Sequence, residues 1–210
     1  MSSKKSKRVL LFDPGWNSTG WAVLDVTINS PKIEVHRFGQ ISPSGEAHKV
    51  DKRVEVGMYG VRAVTMSILS SAINGLIEEF KPDYIASEDA FFSRFPTAHR
   101  ALVEWLTVLV IQAQNHQHRV YLMAPKSIKM ATTGSGDADK GNIQQSILNN
   151  GDIKFKQKQK VTQLQEHEAD AIGVGVAFIK LLLPGLLAKE EEAPTSTVSK
   201  TKQRPPKEGK

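Results

Sequence analysis

The 210-residue chain has no cysteine. Disulfide staples and thiolate metal sites are therefore excluded, and the fold has to rest on a hydrophobic core, as suits a reducing compartment. A chain of this length buries enough surface in one domain to manage without staples. The apolar centre of a signal peptide is not seen in Met1–Arg8, which carries Lys4, Lys5, Lys7 and Arg8 with no acid, so a basic arm is expected there. No stretch reads as a membrane span. Ala169–Ala188 approaches the roughly 20 residues that a bilayer requires, but Asp170, Lys180 and Pro184-Gly185 interrupt it, so it reads as a core helix with a helix-ending turn.

The body also lacks a charge excess. The formal charge of +6 arises wholly at the two ends, since residues 9–188 hold 18 basic and 18 acidic side chains. The pI of 9.4 thus does not by itself make the folded body a nucleic-acid binder, and any such case must come from local clusters. The organisation expected is a flexible basic arm over 1–8, one α/β domain over 9–188, and a disordered charged tail over 189–210, rich in Lys, Glu, Pro, Ser and Thr.

What is present begins with Val9-Leu10-Leu11-Phe12, an unbroken apolar run that fits a central strand buried on both faces and stops at Asp13-Pro14-Gly15. Pro14 cannot extend a paired central strand, and Gly15 and Gly20 permit tight turns, so Trp21–Val26 returns as the hairpin partner. Lys32–Ile41 alternates as a third strand with Ile33, Val35, Phe38 and Ile41 inward. From Ala47 to Phe80 the spacing of Val50, Val54, Met58, Val61, Ile68, Ala72, Leu76 and Phe80 predicts one long amphipathic helix, strained at Gly57 and Gly60. Tyr84–Ser87 is a short strand ending on Glu88, and a right-handed crossover from the helix makes it parallel to the first strand. Pro96–Gln117 is a helix apolar around much of its circumference, which predicts a subunit contact. Arg119–Met123 supplies a fifth strand. The loop Thr132–Lys140 then opens onto a helix, Lys140–Asn149, whose first-turn amides can receive a phosphate.

The chemistry gathers at strand ends. Alone, Asp13-Pro14-Gly15 is a turn or cap and Glu88 a solvated strand-end acid. The parallel crossover instead turns both carboxylates toward one cleft. His167 and Asp170, three apart near the start of the apolar Ala169–Ala188 segment, share a helix face and suit a hard-metal site; the competing reading is an acid favoured by the helix dipole beside a solvent-facing histidine. Phe91 sits three residues beyond Glu88 as a base-stacking wedge with Arg94 on a phosphate, whereas Phe92 and Phe95 read as core. Lys154, Lys156, Lys158 and Lys160 alternate. If extended they place four ammonium groups on one face, an arrangement that tracks a phosphate backbone and makes Lys154, Lys156 and Lys158 candidate DNA contacts; if coiled they form an ordinary solvated charge run.

Together these residues resemble the RuvC family of Holliday junction resolvases, within the RNase H-like superfamily. The resemblance covers most of the body and rests on Phe12-Asp13-Pro14-Gly15 with Thr19-Gly20, Glu88-x-x-Phe91, Gly134-Ser135-Gly136 followed by Lys140, and His167-x-x-Asp170-Ala171, in that order. It implies an RNase H-like α/β fold with a five-stranded mixed sheet, three antiparallel strands continued by parallel ones, flanked by helices, and a homodimer joined partly through Pro96–Gln117. It implies Asp13, Glu88, His167 and Asp170 as catalytic and metal-binding residues, with His167 where many relatives have Asp and some have His, and Mg²⁺, with Mn²⁺ substituting, as two ions per site. It also places Phe91 and Lys140 at DNA-contacting positions, with Lys126 and Lys129 near basic ones.

The implied activity is a structure-selective endonuclease making paired nicks in four-way or branched DNA, in a bacterial or phage-infected host cytoplasm, with no membrane partner. Two other classes stand beside it. A non-catalytic junction binder would carry the same acids misaligned, while an actin-like sugar kinase or ATPase needs a duplicated domain, and the Asp13 motif has no second copy.

Overall fold

The computed structural model describes residues 6–28, 30, 32–90, 95–156, 161 and 164–192. Strand β1 (Ser6–Asp13) pairs antiparallel with β2 (Thr19–Thr27), and β2 pairs antiparallel with β3 (Ile33–Ile41). On the other side of β1, β4 (Tyr84–Glu88) and β5 (Val120–Met123) are parallel to it and to each other. A further strand, β6 (Ile153–Phe155), lies parallel to β3, giving the order β5-β4-β1-β2-β3-β6. This sixth strand corrects the expectation of five. Three residues are too few to show a period, and Phe155 is held by edge-on packing against Phe38, with ring centroids 6.0 Å apart.

The apolar run of β1 is buried on both faces, as its composition requires. Val9 and Leu11 pack into one layer, Leu10 and Phe12 into the other. The spacing of Val35 and Phe38 breaks strict alternation, yet both are buried, because the β2–β3 register shifts beside Val23 and Leu24 and leaves His36 as an extra residue on β3. Ile41 is only half-buried.

The predicted long helix is broken. It consists of α1 (Pro43–Ala47), a 3-10 turn at Val50–Lys52, α2 (Arg53–Tyr59) and α3 (Val61–Phe80). Gly60, at φ +82°, separates α2 from α3, whose axes bend by 118°. A residue with positive φ cannot continue a right-handed helix, and glycine adopts that conformation without strain. Val50, Val54 and Met58 are consequently exposed, and the buried stripe of α3 runs through Val64, Leu69, Ile73, Ile77 and Phe80. Helices α3 and α4 (Pro96–Asn115) cover one face of the sheet. The other carries α5 (Pro125–Thr133), α6 (Lys140–Asn149) and α7 (Glu166–Leu181), followed by α8 (Leu183–Glu192). Among the described residues, no single helix is long and apolar enough to cross a membrane.

Both ends of the body reach into the segments expected to be loose. Strand β1 starts at Ser6 and α8 ends at Glu192. Glu190 accepts a hydrogen bond from the Tyr84 hydroxyl and lies 2.8 Å from Lys7 Nζ. Burial, and then the bond to Glu190, push the Tyr84 phenol well above its usual range.

At the same end of the sheet, Arg8 grips Asp25 through Nε at 2.7 Å and Nη2 at 3.0 Å, and His36 Nδ1 lies 3.1 Å from the same carboxylate. Burial pushes the Asp25 carboxyl up, but the Arg8 hydrogen bonds and charge outweigh it and hold the group below its ordinary value. A lowered folded value means stability that is present above the unfolded pKa, about 3.9, and lost as pH falls through the folded one. The melting temperatures of wild type and Asp25→Asn should therefore differ by a few degrees at pH 7 and converge below about pH 4. A gap that stays constant with pH would remove Asp25 as its source.

Candidate active site

Pleat alternation decides which way the acids point. Asp13 shares the parity of Val9 and Leu11, and Glu88 that of Tyr84 and Ala86, so both carboxylates belong to the face covered by α7. The parallel register pairs Phe12 with Ser87, which puts Asp13 and Glu88 side by side one residue further on, at the carboxyl ends of adjacent strands. Neighbouring strands are about 4.8 Å apart.

Helix α7 delivers the other two groups. Glu168 accepts a hydrogen bond from the Gln165 backbone N–H at 2.8 Å, capping the helix start and leaving Asp170 to point into the protein. Asp170 is 6% exposed and Asp13 8%. Ligand-capable atoms of Asp13, His167 and Asp170 all lie within 4.8 Å of one another. His167 Nδ1 is 2.7 Å from Asp13 Oδ2; a carboxylate oxygen accepts, so the imidazole donates Nδ1–H. This geometry overturns the reading of a solvent-facing histidine. Glu88, half-buried on the neighbouring strand, stands outside the trio.

The helix start can come this close because Gly20 lies beneath it. Gly20 pairs with Asp13 across the hairpin, and a Cβ there would sit 1.8 Å from the His167 carbonyl oxygen. Its sequence reading as a turn glycine is thus corrected: it is needed for close approach. Gly175 plays the same part further along α7, where a Cβ would meet Leu24 and Leu11 side chains at 2.4 and 2.5 Å.

The loop after Asp13 is pinned as well. Thr19 Oγ1 donates to the Gly15 carbonyl at 2.7 Å and accepts from the Trp105 indole N–H at 2.8 Å, while the Trp105 ring meets Phe12 edge-on at 5.6 Å. Trp105 and Thr19 are wholly buried. In the sequence, Trp105 is one apolar residue among many on the Pro96–Gln117 helix and Thr19 only part of a motif. The signal available was a buried indole, which needs an acceptor.

The predicted DNA-contacting residues divide by position. Lys126 and Lys129 lie on α5, which starts just beyond Met123, the partner of Glu88 on β5, and so belong to the acidic end of the sheet. Lys140 opens α6. The expectation that the first turn of α6 receives a phosphate is corrected by its cap: Asp139 Oδ1 already accepts from the Asn142 N–H at 2.9 Å, and a carboxylate there repels an anion. Lys154 lies on β6 against Glu34, and Lys156 Nζ is 3.4 Å from His36 Nδ1. They sit at the opposite end of the sheet, roughly 20 Å from Asp13 by strand length, and do not converge on the acids. Phe91, Arg94 and Lys158 lie outside the described residues.

Two buried carboxylates and an imidazole form an oxygen-rich donor set of the kind that holds hard divalent cations, and with no thiolate in the chain, a soft-metal site is not built. The residues fit a Mg²⁺ or Mn²⁺ ion. Asp25, Glu34 and His36 form a second group with ligand-capable atoms within 4.8 Å of one another, but there Arg8 already occupies Asp25.

A mixed sheet with three antiparallel strands, carboxylates at the ends of its central strands and a helix laid across them defines the RNase H-like class of fold. The family model described as crossover junction endodeoxyribonuclease RuvC matches residues 9–178, and the chain belongs to that family. It is 28% identical over 172 residues to the crossover junction endodeoxyribonuclease RuvC of Finegoldia magna, covering 82% of this chain and 92% of the relative. It is 32% identical over 135 residues to that of Pseudothermotoga lettingae, covering 64% and 74%. Among solved structures, the fold resembles Thermus thermophilus RuvC in complex with Holliday junction substrate, with a TM-score of 0.64 at 18% identity, covering 82% of this chain and 93% of the other. It also resembles the yeast mitochondrial Holliday junction resolvase, with a TM-score of 0.61 at 14% identity over 83% and 78%.

Proposed function

We propose that the protein is a divalent-metal-dependent endonuclease that resolves Holliday junctions or related branched DNA, leaving 5′-phosphate and 3′-hydroxyl ends. The observation that carries this reading is the convergence of Asp13, His167 and Asp170 within 4.8 Å, beside Glu88, in a chain of the RuvC family. The rival reading of a non-catalytic binder requires misaligned acids, and this convergence disfavours it.

Asp13, Asp170 and His167, with Glu88 at the rim, would hold the ions, Mg²⁺ or Mn²⁺, two per site. Bound ions of this kind supply Lewis-acid stabilisation of charge developing on the phosphodiester. The protein's part is positional. His167 orients Asp13 through Nδ1–H, and its imidazole would serve as ligand or proton-transfer group. The Thr19 hydroxyl holds the loop beside the acids. Lys126 and Lys129, at the acidic end of the sheet, are suited to neutralising backbone phosphates, a role the resemblance implies for Lys140 as well, and each such contact steepens the salt dependence of binding.

The dimer follows from the chemistry of a two-fold symmetric junction, in which two strands must be cut. On α4, Trp105, Leu106, Leu109 and Ala113 are buried, whereas Val103, Thr107 and Ile111, spaced by four on one face, are exposed. That stripe suits a helix-to-helix subunit contact.

The test is cleavage of a labelled four-way junction and a matched linear duplex in Mg²⁺ and Mn²⁺. Selective, paired nicking of the junction is expected; junction binding with no cuts in either metal would move the protein to the binder class. Ile111→Glu should sediment as a monomer and lose paired nicking. A dimer that survives this change would place the subunit contact elsewhere.

A further inference from the structure

A cleft of about 450 Å³ opens beside the loop that follows Asp13. It is lined by Trp16, Asn17, Arg62, Thr97, Ala98, Ala101 and Leu102. Its volume lies in the range of sites that take small organic molecules. One wall is an indole, three linings are small or aliphatic, and Asn17, Thr97 and Arg62 supply a few polar groups. An apolar slot with an aromatic wall and an amide at its edge has the chemistry that recognises a nucleobase.

The aromatic wall is fixed in place. The Arg62 guanidinium lies over the Trp16 ring, 4.9 Å from its centroid, and pairs with Glu104, which Arg100 Nε also holds at 2.8 Å. Burial would raise the Glu104 carboxyl, but the bonds from Arg100 and Arg62 outweigh it and hold it below its ordinary value. Two guanidinium groups against one carboxylate leave the rim positive, as a polyanion requires. Arg62 Nε is shielded from water, which strengthens its attraction to the indole. The loop carrying Trp16 is itself anchored by Thr19 to Gly15.

Trp16 follows Asp13 by three residues, so their Cα atoms are at most about 11 Å apart. With a rise of about 3.4 Å per nucleotide in a strand, a base in this cleft lies within about three nucleotides of a phosphate held at the acids. We propose that the cleft takes one nucleobase unpaired from the branched DNA, stacked on the face of Trp16 opposite Arg62, with Asn17 at its edge. This rests on the endonuclease reading above. A base at a branch point unpairs and unstacks at lower cost than one inside a continuous duplex, so the cleft favours branched substrate at a point separate from the acids.

The test is a binding cycle between protein and DNA, made with the full chain and four-way junctions in metal-free buffer. Junctions carry a single abasic site at each position within three nucleotides of the mapped cut, one position per junction. At one position the abasic site should weaken wild-type binding about tenfold, within the range for losing one stacked base. Trp16→Ala should weaken binding of the intact junction to the same degree and lose nothing more on that abasic junction, while Trp16→Phe restores most of the loss. Effects of Trp16→Ala and the abasic site that multiply at every position would overturn the proposal, as would a Trp16→Ala protein that melts like wild type and binds the intact junction unchanged. If wild type fails to prefer the junction over linear duplex, the endonuclease reading falls first and takes this one with it.

Discussion

Asp13→Asn should bind a four-way junction as wild type does and cut it at least about 10²–10³-fold more slowly, the loss typical of removing one group that stabilises transition-state charge. Asparagine keeps the size of the side chain and an oxygen that can accept the His167 Nδ1–H bond, so the packing under α7 has no reason to change. What disappears is a negative charge from a buried cluster in which Asp13 and Asp170 are 8% and 6% exposed. Like charges in so dry a place repel, so metal-free Asp13→Asn should melt no lower than wild type. Added Mg²⁺ should then raise the melting temperature of wild type and leave the variant almost unmoved, since only a form that binds the ion is stabilised by it. A variant that cuts at wild-type rate would remove Asp13 from the site. One that loses both activity and stability would show that the residue serves folding.

The second large effect concerns a residue with no side chain. Gly20→Ala puts a methyl group 1.8 Å from the His167 carbonyl oxygen and 2.3 Å from its carbon, and both are backbone atoms that cannot swing aside. The start of α7 must lift away from β2, moving His167 and Asp170 off Asp13. A cost of about 1–3 kcal/mol is expected, typical of overpacking, together with loss of cleavage beyond what the drop in folded fraction explains. Gly75→Ala is the matching control. Gly75 lies inside α3 with nothing within 4 Å of a Cβ, so alanine there should stabilise by about 0.5–1 kcal/mol and leave cleavage intact. If Gly20→Ala kept wild-type stability and activity, the close approach of α7 would not be what builds the site.

These positions also show what a sequence displays and what it hides. The β1 run, its end at Asp13, the matching end at Glu88 and the three-residue spacing of His167 and Asp170 are local patterns, and period-two and helical spacing suffice to read them. Val50, Val54 and Met58 continue a helical rhythm across Gly60, so periodicity alone joined two helices that a single positive φ separates. Strand β6 is too short to announce itself. The alternating lysines near it looked like a nucleic-acid track, but only the strand order reveals that Lys154 and Lys156 lie at the end of the sheet away from the acids. Gly20 looked like punctuation because its partner, the backbone of His167, is 147 residues away in the chain.

The seating of α7 on the sheet through Gly175 carries one more implication. The helix that brings His167 and Asp170 is wedged against Leu11 and Leu24 in the middle of the protein, and Asp13 ends a strand buried on both faces. Among the described residues, Asp13, His167 and Asp170 thus stand on elements anchored in the core rather than on loops. Reshaping for attack is then expected chiefly of the nucleic acid, so the pliancy of a branched molecule becomes a quantity that separates a substrate from an onlooker.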